Sequence, residues 1–163
     1  MDSKRMQSAR KFVEHYATHD NEMLHSLLAD SLVFEISPSR SIDKLQAFDK
    51  AGFIEFKENM KRVMTGYPLN VIKYIESESS NMVVVWTTGR PQFREELKDY
   101  EEVTKEQWDY VGEFVFMLTM DETGEKITKV NEFIDSKATD LKLWPLVVRA
   151  LGNLEKSKQA SGA

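Results

Sequence analysis

Apolar residues recur at three- and four-residue steps through the first part of the chain. Met6, Ala9, Phe12, Val13 and Tyr16 predict a helix from Ser3 to about Ala17 with one buried stripe. A short second helix follows, capped by Asp20 and carrying Met23, Leu24, Leu27 and Leu28, and it ends near Asp30. Leu32 to Ile36 then reads as a strand that Pro38 stops. After a polar loop, Phe53, Phe56, Met60, Val63 and Met64 mark a third helix, closed by Gly66 and Pro68.

Beyond Pro68 the period changes to two. Val71 to Glu76, Met82 to Thr88, Trp108 to Met120 and Ile127 to Ile134 each read as strands, and the Asp121-Glu122-Thr123-Gly124 turn joins the last two as a hairpin. Leu141 to Lys156 returns to helical spacing, with Pro145 acceptable only in the first turn. No repeat or linker divides this pattern. It predicts one α+β domain over residues 1–156 with a mainly antiparallel sheet, followed by a small polar tail, 157–163, expected to be disordered.

Two strands, Met82-Val83-Val84-Val85-Trp86 and Phe114-Val115-Phe116-Met117-Leu118, are apolar on both faces, whereas a sheet with one wet face alternates cleanly. The predicted helices suffice to cover one face. The expected cover for the other is a second copy of the chain, so the sequence predicts a homodimer.

Composition narrows the chemistry. The chain has 163 residues and a formal charge of -5, which disfavours nucleic acid as a partner. With no cysteine, disulfides, thiolate metal sites and thiol nucleophiles are excluded. The N-terminus shows no apolar signal region and no window approaches a membrane span, so a cytoplasmic protein with no membrane association is expected. Phosphate loops, dinucleotide fingerprints and nucleophile elbows are absent.

Alternation places Trp108, Tyr110, Gly112, Phe114 and Phe116 on one strand face, and Val130, Glu132 and Ile134 together on the next. Glu132 is anomalous, because a carboxylate points where apolar residues point. It sits either on a wet dimer seam or inside a cavity, where burial raises its pKa and makes an acid or base available near neutrality. Tyr110 is either a core tyrosine or an oxygen-binding donor. Tyr16, Phe53, Met60, Trp86, Trp108 and Phe114 are core candidates that in a hollow domain also line a pocket suited to a flat polycyclic ligand. His15 and His19 stand four apart on a helix, but no third ligand follows at metal-site spacing, so no metal is expected; His19 is either a surface residue or a group at the pocket edge. Arg90 to Glu106, with ten charged residues in seventeen positions, reads as a solvated extension of two strands rather than a lid.

The segments Tyr110-Val111-Gly112-Glu113-Phe114-Val115-Phe116 and Val130-Asn131-Glu132-Phe133-Ile134-Asp135-Ser136 resemble signatures of the fungal SnoaL-like proteins of secondary metabolism, within the NTF2-like superfamily. Ile36-Ser37-Pro38-Ser39 resembles the segment after that family's first strand, and the likeness spans residues 6 to 152. It implies a cone of three helices on a curved sheet with a C-terminal helix. It also implies a cofactor-independent isomerase. Arg40, where meroterpenoid isomerases carry a small neutral residue, makes the chain most similar to brevianamide-type indole-alkaloid semipinacolases. That resemblance implies a semipinacol shift in which Glu132 takes a hydroxyl proton while Arg40 and Tyr110 hold the oxygen. The histidine that meroterpenoid members carry before their proline is missing, since Phe34 and Glu35 stand there. Isomerisation or cyclisation of a meroterpenoid or polyketide is the alternative, and a non-catalytic small-molecule binding module is the alternative of another class.

Overall fold

The computed structural model describes residues 1–42 and 47–162. Helix α1 (Lys4–Thr18) opens where the Ser3 hydroxyl accepts from the Met6 amide at 3.0 Å, and α2 (Asn21–Leu27) opens on Asp20 in the same way. Strand β1 (Leu28–Ser37) follows without a break, and Ser37–Pro38 is a cis peptide. Helix α3 (Lys50–Lys61) is capped by Asp49; β2 (Met64–Gly66), β3 (Leu69–Ser77), β4 (Met82–Gly89) and β5 (Gln92–Phe93) come next. A 3₁₀ turn at Glu95–Leu97 and the one-turn helix α4 (Lys105–Trp108) lead into β6 (Gly112–Met120) and β7 (Ile127–Ile134). A single turn, α5 (Ser136–Ala138), and a π-helical turn (Thr139–Leu143) run into α6 (Trp144–Ser161).

The main sheet has the order β1-β7-β6-β4-β3, antiparallel except where β1 runs parallel to β7. β2 and β5 form a separate small ribbon. Gly124, at φ +76°, closes the β6–β7 turn in a conformation that side chains resist. Helix α1 crosses β3 and β4 and α3 covers β1, so one sheet face is buried. There Phe12 meets Phe116 edge-on at 5.3 Å and Phe34 stacks on Phe53 at 4.0 Å.

Three boundaries differ from the sequence reading. The third helix stops at Lys61, and Val63 and Met64 belong to the turn and strand that follow. Trp108 and Tyr110 precede β6 instead of lying in it, because Thr104 and Gln107 form a capping box that winds this stretch into a helical turn. Helix α6 continues to Ser161, through most of the stretch read as a disordered tail, while Pro145 lies in its first turn as expected.

The other sheet face is open in the single chain. Ile75 pairs with Val84 and Val84 with Met117; Trp86 pairs with Val115 and Val115 with Phe133, all on this side. Trp86, Phe133 and Ile75 are exposed, and the Trp86 indole donates to Glu113 at 2.6 Å.

Candidate active site

Between the covered face, α1, α3 and the start of α6 lies a cavity of about 130 Å³. The sheet supplies Phe34, Ile36, Phe114, Phe116, Glu132 and Ile134, and helix α3 supplies Phe53, Phe56, Lys57 and Met60. Tyr16 and His19 at the end of α1, Met64, Tyr67 and Leu69, and Thr139, Leu143, Trp144 and Val147 complete the wall. Phe48 joins through a bridge to Phe34, with both backbone amides bonded at 2.8 Å. Trp144 is exposed and Phe48, Phe56 and Leu143 half-buried, so these four mark the mouth. The volume is close to that of apolar cavities of about 150 Å³ known to take up benzene. It fits one ring and falls short of the fused-ring hollow expected for a polycyclic guest.

The wall is apolar except for a few groups. Glu132 points inward because β7 alternates Val130, Glu132 and Ile134 toward the helices, opposite Phe116 on β6 and Ile36 on β1. Burial pushes its pKa up to about 7, against the pull of the Lys57 charge. Lys57 is 3% exposed, with its Nζ 3.6 Å from the centroid of the Tyr16 ring. Burial pulls its pKa down to about 7, opposed by Glu132. Among the described residues the two face the same hollow without closing into an ion pair. The Tyr67 hydroxyl, with its pKa pushed up by burial, has no partner among the described residues, and neither has the Thr139 hydroxyl. His19, an αL residue at φ 51°, is buried rather than on the surface, and burial lowers its pKa to about 3, so its ring is neutral, and neither nitrogen has a partner among the described residues. His15 is bonded through Nδ1 to the Phe12 carbonyl of its own helix.

Of the residues singled out from sequence, Glu132, Phe114, Tyr16, Phe53, Met60 and His19 meet at this cavity. Four do not. Arg40 is exposed on the turn that the Ser41 amide closes onto the Pro38 carbonyl. Tyr110 does not line the cavity: it precedes β6, does not share its alternation, and forms part of a separate surface groove, with its buried hydroxyl lying behind the wall, near Gly112 and Thr139. Trp108 packs edge-on against Phe93 at 5.2 Å. Trp86 lies on the opposite sheet face.

Lys57 was missed, although a signal existed. It stands four residues after Phe53 and three before Met60, on the same helical stripe, so it breaks its pattern just as Glu132 breaks that of β7. Arg90 to Glu106 is not a lid over this cavity. Arg149 of α6 pairs with Asp99 at 2.7 Å, Asn153 donates to Leu97 and Asp99, and Phe93 is buried.

No protein-family model matches the sequence, and no curated protein matches it by sequence. The fold, however, is that of the SnoaL-like and NTF2-like proteins. The chain is similar to the BvnE pinacolase of Penicillium brevicompactum, at 17% identity over 91% of this chain and 92% of that one, with a TM-score of 0.71. AusH from Aspergillus nidulans is similar at 20% identity over 82% and 84%, TM-score 0.67. A SnoaL-like polyketide cyclase assignment from Shewanella putrefaciens is similar at 16% identity over 88% and 98%, TM-score 0.66.

Proposed function

We propose that the protein is a cofactor-independent isomerase or cyclase of secondary metabolism, moving protons on a cyclic, oxygen-bearing substrate held between Glu132 and Lys57. The observation that carries this reading is a carboxyl and an amine turned into one apolar hollow, both with pKa values of about 7. Near neutrality the pair shares one easily moved proton: either both groups are neutral, or they are carboxylate and ammonium. Such a pair can remove a proton at one atom and deliver it at another without bulk water. The Tyr67 hydroxyl is free to donate to a developing oxyanion, the part first assigned to Tyr110. Lys57 takes the cationic part first assigned to Arg40.

The more specific reading is a stereoselective semipinacol shift on an oxidised indole alkaloid that gives a spiro product, in line with the likeness to a pinacolase. Glu132 would take the hydroxyl proton, the neighbouring group would migrate, and Lys57 would protonate the acceptor atom. Only the reacting ring fits inside, so the rest of such a substrate would rest on the aromatic mouth. A non-catalytic binding module needs no group in its wall that titrates near neutrality, and this wall has Glu132 and Lys57. A meroterpenoid or polyketide isomerase would use the same pair on a proton next to a carbonyl.

The test is incubation with a 3-hydroxyindolenine and with a polyketide lactone, with product ratios read by chromatography. Glu132→Gln is expected to slow product formation by about 10²-fold or more, while Arg40→Ala and Tyr110→Phe leave it unchanged. Unaltered rates and ratios with Glu132→Gln would overturn the proposal.

A further inference from the structure

We propose that Lys57 is also a nucleophile, and that the cavity is built to condense its amine with a single-ring aldehyde or ketone into an imine. This goes beyond proton transfer, though it uses the same cavity. Three observations carry it.

First, the Nζ is isolated. It lies over the Tyr16 ring, and among the described residues it makes no hydrogen bond and no ion pair. Among the described residues the titratable groups that face it or share its hollow are Glu132 on β7, Tyr67 between β2 and β3 and, at the end of α1, Tyr16, His15 and His19. Both histidines have lowered pKa values and are neutral, so among the described residues Glu132 is the charged partner that favours the ammonium, helped by the face of the Tyr16 ring. A lysine with so little to stabilise its charge presents a lone pair near pH 7. Several other lysines are instead engaged by acids: Lys50 by Asp30, Lys98 by Glu95 and Lys129 by Glu35.

Second, a carboxylic acid shares the cavity. In the first step the Nζ lone pair attacks the carbonyl carbon. The C–N bond forms, the C=O π bond breaks toward oxygen, and the proton shed by nitrogen and the one gained by oxygen both pass through Glu132, giving a neutral carbinolamine. In the second step Glu132 protonates the hydroxyl, the C–O bond breaks, water leaves, and nitrogen loses its last proton to the carboxylate. The sum is amine plus carbonyl giving imine plus water, with no oxidant or reductant.

Third, size and polarity set the substrate class. About 130 Å³ walled by Phe34, Phe53, Phe114 and Phe116 accommodates one aromatic or alicyclic ring and little more. An apolar enclosure also disfavours the water that would reverse the condensation.

The experiment is reductive trapping. The full chain is incubated at pH 7 with benzaldehyde and sodium cyanoborohydride, and benzylated lysines are mapped by peptide mass spectrometry. Lys57 should be labelled at least about tenfold faster than any other lysine, since a lysine with an ordinary pKa is almost wholly protonated at pH 7. The preference should vanish in urea, and Glu132→Gln should slow labelling at Lys57 by about tenfold or more. Labelling spread evenly over the lysines, or none at Lys57, overturns the inference. Benzyl alcohol separates the two readings. If it raises Tm while Lys57 stays unlabelled, the imine falls and proton transfer stands; if it neither binds nor protects, the cavity reading falls as well.

Discussion

Lys57→Met should make the protein more stable at neutral pH, although it deletes a buried residue's only charge. Lys57 has a pKa of about 7 when folded and 10.5 as a model value, and at about 1.4 kcal/mol per pH unit this difference corresponds to about 5 kcal/mol of destabilisation. Methionine keeps nearly the same length and removes that cost. Against it stands the lost contact with the Tyr16 ring, worth about 1–2 kcal/mol when desolvated; the attraction to Glu132 is already contained in the folded value of about 7. The net expectation is a gain of about 3–4 kcal/mol, within the range seen when buried charges are replaced by apolar residues. For a chain of this size that raises Tm by about 5–10 °C. The sign with pH is fixed. Between pH 7 and 10.5 the unfolded chain binds the proton that the folded chain has released, so wild-type stability rises across this window and the advantage of the variant shrinks. Glu132 acts in the opposite direction below neutrality. Its raised pKa means that the folded state holds the extra proton, and wild-type stability falls as pH rises from about 4.5 to 7. Urea unfolding followed by tryptophan fluorescence, at one protein concentration and at pH values from 6 to 10, measures the difference. A variant less stable than wild type at pH 7, or a gap that does not narrow toward pH 10, would refute the burial argument.

Two further outcomes are expected. The open sheet face, with Ile75, Val84, Trp86, Val115, Met117 and Phe133 between Lys73 and Lys129 and the acids Glu35 and Glu113, suits a second copy of the chain, since both charge signs at the rim can face each other across a two-fold axis. Sedimentation should give twice the chain mass, and Trp86→Glu with Phe133→Glu should give one; a wild-type monomer at micromolar concentration removes the dimer. Gly66→Ala should cost at least about 2 kcal/mol, because a Cβ there would lie 1.9 Å from the Ala17 carbonyl oxygen, where only backbone can yield. A urea midpoint equal to wild type would contradict that close approach.

Much of the architecture could be read from periodicity. The stripe of α1, the alternation of β4, β6 and β7 and the proline in the first turn of α6 are local patterns with local physical causes, and they put Glu132 on the inward face correctly. The failures share one origin. Trp108 and Tyr110 are spaced like strand residues, but the Thr104 capping box competes for the same stretch, and backbone hydrogen bonding decides in its favour. Arg40 carries the expected charge, yet where a turn aims a side chain depends on what the turn packs against.

Sequence alone therefore determined the α+β class, the helix and strand order and the presence of one misplaced acid, because each follows from the period of neighbouring residues. Only the tertiary structure decided that Lys57 shares the acid's hollow, that this hollow measures about 130 Å³, and that Trp86 faces away. Those facts depend on which side chains from distant segments converge, and on how much volume they leave when packed, which no local pattern encodes.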